Sequence, residues 1–131
     1  MFELYKLGLT DKDIKIVLEQ LPELIELTEE EISKKINLLE LIGCHTSQIR
    51  NIIITNPYYL ESINEDVINL VNKLTSLGIT YPHLLFDSNP YFLNKEVFEI
   101  EDYIKLKINK GQLIENIINE LEQNPYIIDE F

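Results

Sequence analysis

The phrase NPYYL at residues 56–60 returns as NPYFL at residues 89–93 and as NPYII at residues 124–128. The chain has only five prolines, and three of them stand in this short phrase, which continues with tyrosine and apolar residues. A linear recognition motif needs to occur only once. A phrase that recurs at a steady interval indicates a repeated structural unit.

Glycine and proline recur along the chain with one period. The four glycines are spaced by 35, 35 and 33 residues: Gly8, Gly43, Gly78 and Gly111. Four of the five prolines are spaced by 35, 33 and 35 residues: Pro22, Pro57, Pro90 and Pro125. A two-residue deletion between Gly78 and Pro90 explains both short intervals. Self-similarity at this period is the sequence signature of a solenoid.

Each unit has the pattern of two helices joined by a short apolar turn. Thr10 and Asp13 form a capping-box pair where the first helix begins, and Thr28 and Glu31 form another at the second. Proline ends the first helix because it disfavours helical geometry in the residue before it. Glycine closes the second helix in the left-handed conformation. The sequence predicts an all-α solenoid, a superhelical stack of about four repeats without strands.

The 131 residues are predicted to form one helical-repeat domain. Its expected parts are a half-repeat cap at 1–7, repeats at 8–42, 43–77 and 78–110 (the last one shortened), and a partial repeat at 111–131. The residues four before each proline are expected to form one buried row: Leu18, Ile53, Phe86 and Leu121. After the fourth apolar turn, the chain either exposes an apolar face to a partner or to a second copy, or folds that turn back.

Composition excludes several kinds of chemistry. Cys44 is the only cysteine, which excludes an internal disulfide, and its position favours a small buried hydrophobe over a nucleophile. His45 and His83 are the only histidines, and neither has a carboxylate partner at a catalytic spacing. Every glycine is placed to end a helix, so a phosphate loop is not expected. We expect a non-enzymatic, cytoplasmic protein without a metal, a cofactor or a membrane segment.

The formal net charge of −12 is concentrated in the outer units. Residues 8–42 and 111–131 each carry −5, whereas 43–77 and 78–110 each carry −1. Much of the acid stands where second helices begin: Glu29, Glu30, Glu31, Glu65, Asp66, Glu96 and Glu99. These carboxylates complement helix dipoles, and acidic outer units keep solenoid ends soluble. The functional alternative is an acidic edge that docks a basic partner.

A faint basic stripe lies seven residues before successive prolines, at Lys15, Arg50 and His83, with Ile118 in the fourth unit. These residues would line one side of the stack and could contact phosphates. Their positions are explained equally well by long side chains on a solvated face, whose aliphatic part covers the surface while the polar end stays in water. Asn56-Pro57-Tyr58-Tyr59 also matches the NPxY phrase that some adaptor domains bind. The repeat already accounts for every letter of that phrase.

The units LGLTDKDIKIVLEQLPELIELTEEEISKKINLLELIG and HTSQIRNIIITNPYYLESINEDVINLVNKLTSLGI resemble the repeat of the mitochondrial transcription termination factor (mTERF) family. The resemblance extends over residues 2–128 and implies a curved stack of two-helix repeats with 3₁₀ turns. It also implies binding of double-stranded DNA or organellar RNA through arginines and lysines in a concave groove. This chain differs from the family's pattern in being short, in its clipped third repeat and in lacking basic character.

The functional prediction from the sequence is a non-enzymatic scaffold that docks a protein partner, because the cations that nucleic-acid binding needs are few. Two alternatives stay open. The first is mTERF-type DNA or RNA binding through Lys15, Arg50 and His83, with Lys34 and Lys35. The second is an acidic mimic of nucleic acid that occupies a basic groove on another protein. Self-association through the C-terminal repeat is a further expectation.

Overall fold

The computed structural model describes residues 1–130 and contains α-helices and short 3₁₀ turns. The α-helices are α1 (Phe2–Leu7), α2 (Asp11–Gln20), α3 (Glu29–Ile42), α4 (Thr46–Thr55), α5 (Asn64–Ser76), α6 (Pro82–Ser88), α7 (Val97–Asn109) and α8 (Ile114–Gln123). The 3₁₀ turns are Pro22–Glu26, Pro57–Glu61, Pro90–Asn94 and Pro125–Glu130. Phe131, the last residue of the predicted unit 111–131, lies outside the described residues. The part of the chain that is described has no strand.

The ends of the helices follow the local chemistry of the sequence. Thr10 and Asp13 form the reciprocal capping box of α2, and Thr28 and Glu31 form that of α3. Each first helix ends two residues before the proline that opens a 3₁₀ turn. Gly43 closes α3 at a φ of 117°, where a left-handed backbone favours glycine.

Equivalent elements of successive units lie side by side. The first helices α2, α4 and α6 contact one another in order, and so do the second helices α3, α5 and α7. The turn Pro57–Glu61 contacts the turn Pro90–Asn94 in the same way. Each unit thus stacks on the unit before it, and the prediction of an all-α solenoid is confirmed. The exact boundaries of the units stay a prediction.

The predicted deletion falls in the first helix of the third unit. Helix α6 has 7 residues, whereas α2, α4 and α8 have 10 each. Pro82 opens α6 at a position where its missing N–H costs no helical hydrogen bond. The Phe86 ring is fully buried and packs on the Phe92 ring at a centroid distance of 6.2 Å. A larger side chain therefore fills this shortened unit.

One expectation about the core was wrong. Ile53, Phe86 and Leu121 are fully buried, but Leu18 is only half-buried. Val17, one position earlier on α2, is the fully buried residue of that turn. Helix α2 is the first of the stacked first helices in the described chain, so the stack covers it from the α4 side. Leu18 therefore stands at the edge of the buried row.

The last described turn folds back over α8. Ile117 and Leu121 of α8 are buried together with Ile128 of the turn Pro125–Glu130. The Lys95 ammonium fixes this turn to the third unit through an ion pair of 2.5 Å with Asp129. Of the two alternatives for the C-terminal unit, the fold-back is the one observed. None of the helices in residues 1–130 is long and apolar enough to cross a membrane.

Candidate interaction surfaces

The first turns of the three second helices form one edge of the stack, which we call the acidic edge. It carries the seven carboxylates that the sequence singled out: Glu29, Glu30, Glu31, Glu65, Asp66, Glu96 and Glu99. Since α3 contacts α5 and α5 contacts α7, these first turns follow one another along the surface. A regular stack therefore converts a period in the sequence into a continuous acidic surface.

Several of these carboxylates also hold the fold. Glu31 and Glu99 complete the capping boxes of α3 and α7. Glu29 accepts hydrogen bonds from the backbone N–H groups of Phe2 and Glu3, at 3.1 and 2.8 Å, and thereby fixes α1 to α3. Its contact with the N-terminal ammonium is the main reason that the pKa of Glu29 lies below its ordinary value. Glu29, Glu31 and Glu99 thus have structural roles.

Two grooves cross the acidic edge on either side of Ile63. The first has a volume of about 400 Å³ and lies between the start of α3 and the start of α5. The second, of about 300 Å³, lies between α5 and α7 and includes the exposed Tyr58 ring. Both grooves have aliphatic, acidic and lysine side chains in their linings, and Ile63 lines both. The surface around Ile63 is therefore partly apolar and acidic at its rim.

The predicted basic stripe has a packing role that the sequence did not reveal. Arg50 donates a hydrogen bond of 3.2 Å from Nη1 to the Leu7 carbonyl oxygen, at the end of α1. Its side chain lies against Gly8, and the His83 ring lies against Gly43 in the same manner. Lys15 of α2 is exposed. The structure thus places Arg50 and His83 over the glycines that precede them by one unit.

The two lysines of α3 differ sharply. Lys34 is exposed and forms an ion pair of 3.4 Å with Glu30. Lys35 is buried, and its ammonium donates to the Ser62 carbonyl oxygen, to the Ser62 hydroxyl and to Asn64 Oδ1. Burial lowers the pKa of Lys35, while the nearby Asp66 acts in the opposite direction. Lys35 links the first unit to the second and is not exposed for contact with phosphates.

The NPxY reading of residues 56–59 does not agree with the structure. The second tyrosine of the phrase, Tyr59, has no exposed surface, and its hydroxyl donates a hydrogen bond of 2.6 Å to the Lys35 carbonyl oxygen. An adaptor domain would have to extract this ring from the core. Tyr58 is exposed instead.

Buried asparagines join successive units, and sequence reasoning missed their role. Asn56 is fully buried and donates from Nδ2 to the Pro90 carbonyl oxygen and to Asn94 Oδ1, both at 3.0 Å. Asn94 donates back to Asn56 Oδ1 at 3.2 Å. Asn89 repeats the first contact, with a longer distance of 3.5 Å to the Pro125 carbonyl oxygen. The recurrence of asparagine before proline was the available signal for this interaction between units.

The described chain offers little for catalysis. Cys44 is buried, and burial raises the pKa of its thiol to about 12, which keeps it protonated and unreactive. Within residues 1–130 the His, Cys, Asp and Glu side chains form no group of three or more that could hold a metal ion. The prominent features of the described surface are grooves and charged rows.

This architecture defines the class: a helical-repeat protein, whose stacked units present an extended surface to a ligand. The family model for mTERF matches residues 3–86, well over half of the 131 residues. The chain therefore belongs to the mTERF family. Membership suggests helical-repeat nucleic-acid binding without enzymatic activity. No curated protein matches the chain.

Proposed function

We propose that the chain is a non-enzymatic scaffold that docks a protein partner along the acidic edge. The observation that carries this proposal is the row of first turns on α3, α5 and α7, which carries carboxylates throughout and exposed apolar side chains at α5 and α7. Ile63 and Phe98 are exposed in this row, beside Asp66 and Glu96. A protein surface with basic and apolar groups complements this edge, whereas a phosphate backbone is repelled by it.

The states of the cations support a protein partner over nucleic acid. Counterion release requires several basic side chains that are free to approach phosphates. Arg50 is engaged with the end of α1, and Lys35 is buried in the contact between two units. Over the whole chain 11 basic residues face 23 acidic ones. A duplex or an RNA would therefore meet a net repulsive surface at physiological salt.

Nucleic-acid binding is the second candidate, and family membership is the observation that favours it. Lys15 is exposed, and Arg50 and His83 retain part of their surface. Together they would form the contact row for DNA or RNA. An acidic mimic of nucleic acid is a third candidate, which would use the acidic edge against a basic groove of another protein. Self-association through the C-terminal unit remains a proposal beside these.

A pair of charge variants tests the protein-docking proposal. The edge variant is Glu30→Gln/Glu65→Gln/Asp66→Asn, and the matched control is Glu19→Gln/Glu40→Gln/Glu122→Gln, which removes the same charge from exposed sites elsewhere. Proteins retained by each form from a lysate of the native host are identified by mass spectrometry. We expect a partner that the wild-type chain and the control retain and the edge variant loses. Equal retention by all three forms contradicts the proposal.

A gel-shift titration against duplex DNA and RNA at 50 mM salt tests the alternative, with the salt concentration chosen to favour electrostatic binding. Salt-sensitive binding that is lost in Lys15→Glu/Arg50→Glu would establish the nucleic-acid function instead. The mimic would be established by a captured partner that binds DNA and for which this chain and that DNA compete.

A further inference from the structure

Ile63 breaks the local pattern of the second helices. It occupies the N-cap position of α5, six residues after Pro57. Thr28 and Glu96 stand at the same distance from their own prolines, and both form capping boxes. Ile63 has no side chain that can cap, and 64% of its surface is exposed. Of the second helices in residues 1–130, α5 is the one without a capping box.

This departure brings no advantage to folding. A threonine at this position would bond the N–H of Asp66, as Thr10 bonds the N–H of Asp13 in α2. Isoleucine gives up that bond and, being exposed, recovers little from burial. Sites where a sequence breaks a local rule without a gain in stability are commonly functional. The chain thus keeps an apolar side chain at a surface where its own fold favours a polar one.

The residues around Ile63 indicate which kind of ligand would complement this surface. Glu31, Glu61 and Glu65 line the groove on one side, and Asp66 and Glu96 line the groove on the other. Leu60 and Leu93 provide aliphatic lining next to them. Three lysines also line the grooves: Lys34 is paired with Glu30, Lys95 with Asp129, and Lys35 is bonded to Ser62 and Asn64. The carboxylates outnumber these engaged cations, so the contact complements an apolar side chain that is flanked by basic residues.

The shape of the grooves limits the form of the ligand. The two grooves, of about 400 and 300 Å³, lie on both sides of Ile63, so a segment that crosses Ile63 reaches both of them. Successive side chains of an extended strand point to opposite sides. Single side chains of an extended segment fit these volumes.

We propose that the surface around Ile63 binds an extended basic segment of a partner protein, with one aliphatic side chain packed on Ile63 and lysines or arginines directed to the two grooves. This inference rests on the proposed docking function and names its ligand class. A second copy of the chain is a poor occupant, since each copy carries a net charge of −12.

Two synthetic nonapeptides test the proposal by fluorescence anisotropy. Both have four lysines on each side of a central residue, which is leucine in one peptide and serine in the other. We expect the leucine peptide to bind the wild-type chain about fivefold more tightly, as the burial of one aliphatic contact predicts. Ile63→Thr should reduce this difference to less than about twofold and leave the affinity of the serine peptide unchanged.

The same variant provides a readout that a merely structural residue would not give. Since Ile63→Thr supplies the missing cap, its melting temperature should rise while its preference for leucine disappears. Leu41→Gln is the control, because Leu41 is an exposed apolar residue of α3 outside both grooves, with 85% of its surface exposed. It should keep the full preference for the leucine peptide.

The outcomes separate this inference from the proposed function. Equal binding of the two peptides by the wild-type chain overturns the inference, yet it leaves docking by charge at the acidic edge intact. A preference for leucine that survives in Ile63→Thr also overturns it. Absence of binding by either peptide overturns it as well, while the lysate experiment with the edge variant still decides the proposed function.

Discussion

The guanidinium of Arg50 lies against Gly8, 42 positions earlier in the chain, where a Cβ atom would come within 3.1 Å of Arg50 Nη1. The His83 ring repeats this relationship with Gly43. Each glycine thus meets two requirements at once: a left-handed backbone at the end of a helix, and room for a side chain from the next unit. This contact explains why a long or ring-shaped polar residue stands at the positions of Arg50 and His83.

Gly43→Ala is expected to destabilise the fold more than Gly111→Ala. Both alanines suffer the strain of a positive φ, about 1–2 kcal/mol. At Gly43 the added Cβ also lies only 3.0 Å from His83 Nδ1, whereas no described atom lies within 4 Å of the Cβ at Gly111. Urea unfolding of both variants measures the difference. In a His83→Ala background the cost of Gly43→Ala should fall, and an unchanged cost would contradict the contact.

Asn56→Ala should cost at least about 1 kcal/mol more in unfolding free energy than Asn89→Ala. Both side chains are fully buried, so the cavities left by truncation are alike. Asn56 makes three hydrogen bonds with Pro90 and Asn94. Asn89 makes one long bond, and its Oδ1 finds no partner within the described chain. Equal losses in denaturant titrations would show that the amide pair contributes nothing.

Ile53→Ala is expected to cost about 2–5 kcal/mol, as for other large-to-small changes in a close-packed core. Ile53 is fully buried between neighbouring first helices. Leu18→Ala, at the equivalent position of the half-covered α2, should cost clearly less. Thermal and urea unfolding of the two variants give the comparison, which would fail if Leu18→Ala proved the more damaging change.

Cys44 should resist alkylation by iodoacetamide at pH 8 until the chain unfolds. Burial raises the pKa of its thiol from 9.0 to about 12, so the thiolate fraction is lower by about a thousandfold. Labelling followed by mass spectrometry, with and without urea, checks this. Because the folded pKa is the higher one, the group stabilises the fold below pH 9, and this contribution is lost as the pH rises toward 12. Rapid labelling of the native chain would contradict the burial of Cys44.

The sequence by itself determined the all-α class, the period and the helix ends. Those features depend on local chemistry: Thr10 and Thr28 cap the helices that follow them, and proline and Gly43 stop helices through backbone geometry alone. The acidic edge was also predictable, because a regular stack places equivalent residues side by side. The family resemblance followed from the same pattern and was confirmed by the match at residues 3–86.

Only the tertiary structure decided which equivalent residues are free and which are engaged. Lys34 and Lys35 are adjacent in sequence, yet one is exposed and the other is buried against Ser62 and Asn64. Arg50 was expected in a stripe for phosphates, but a carbonyl 43 residues away binds it. Such contacts join residues a whole unit apart, at distances that depend on how the units stack. The sequence pattern within one unit does not specify how that unit packs on the next. Whether each side chain is exposed or engaged was therefore decided by the stacking of the units.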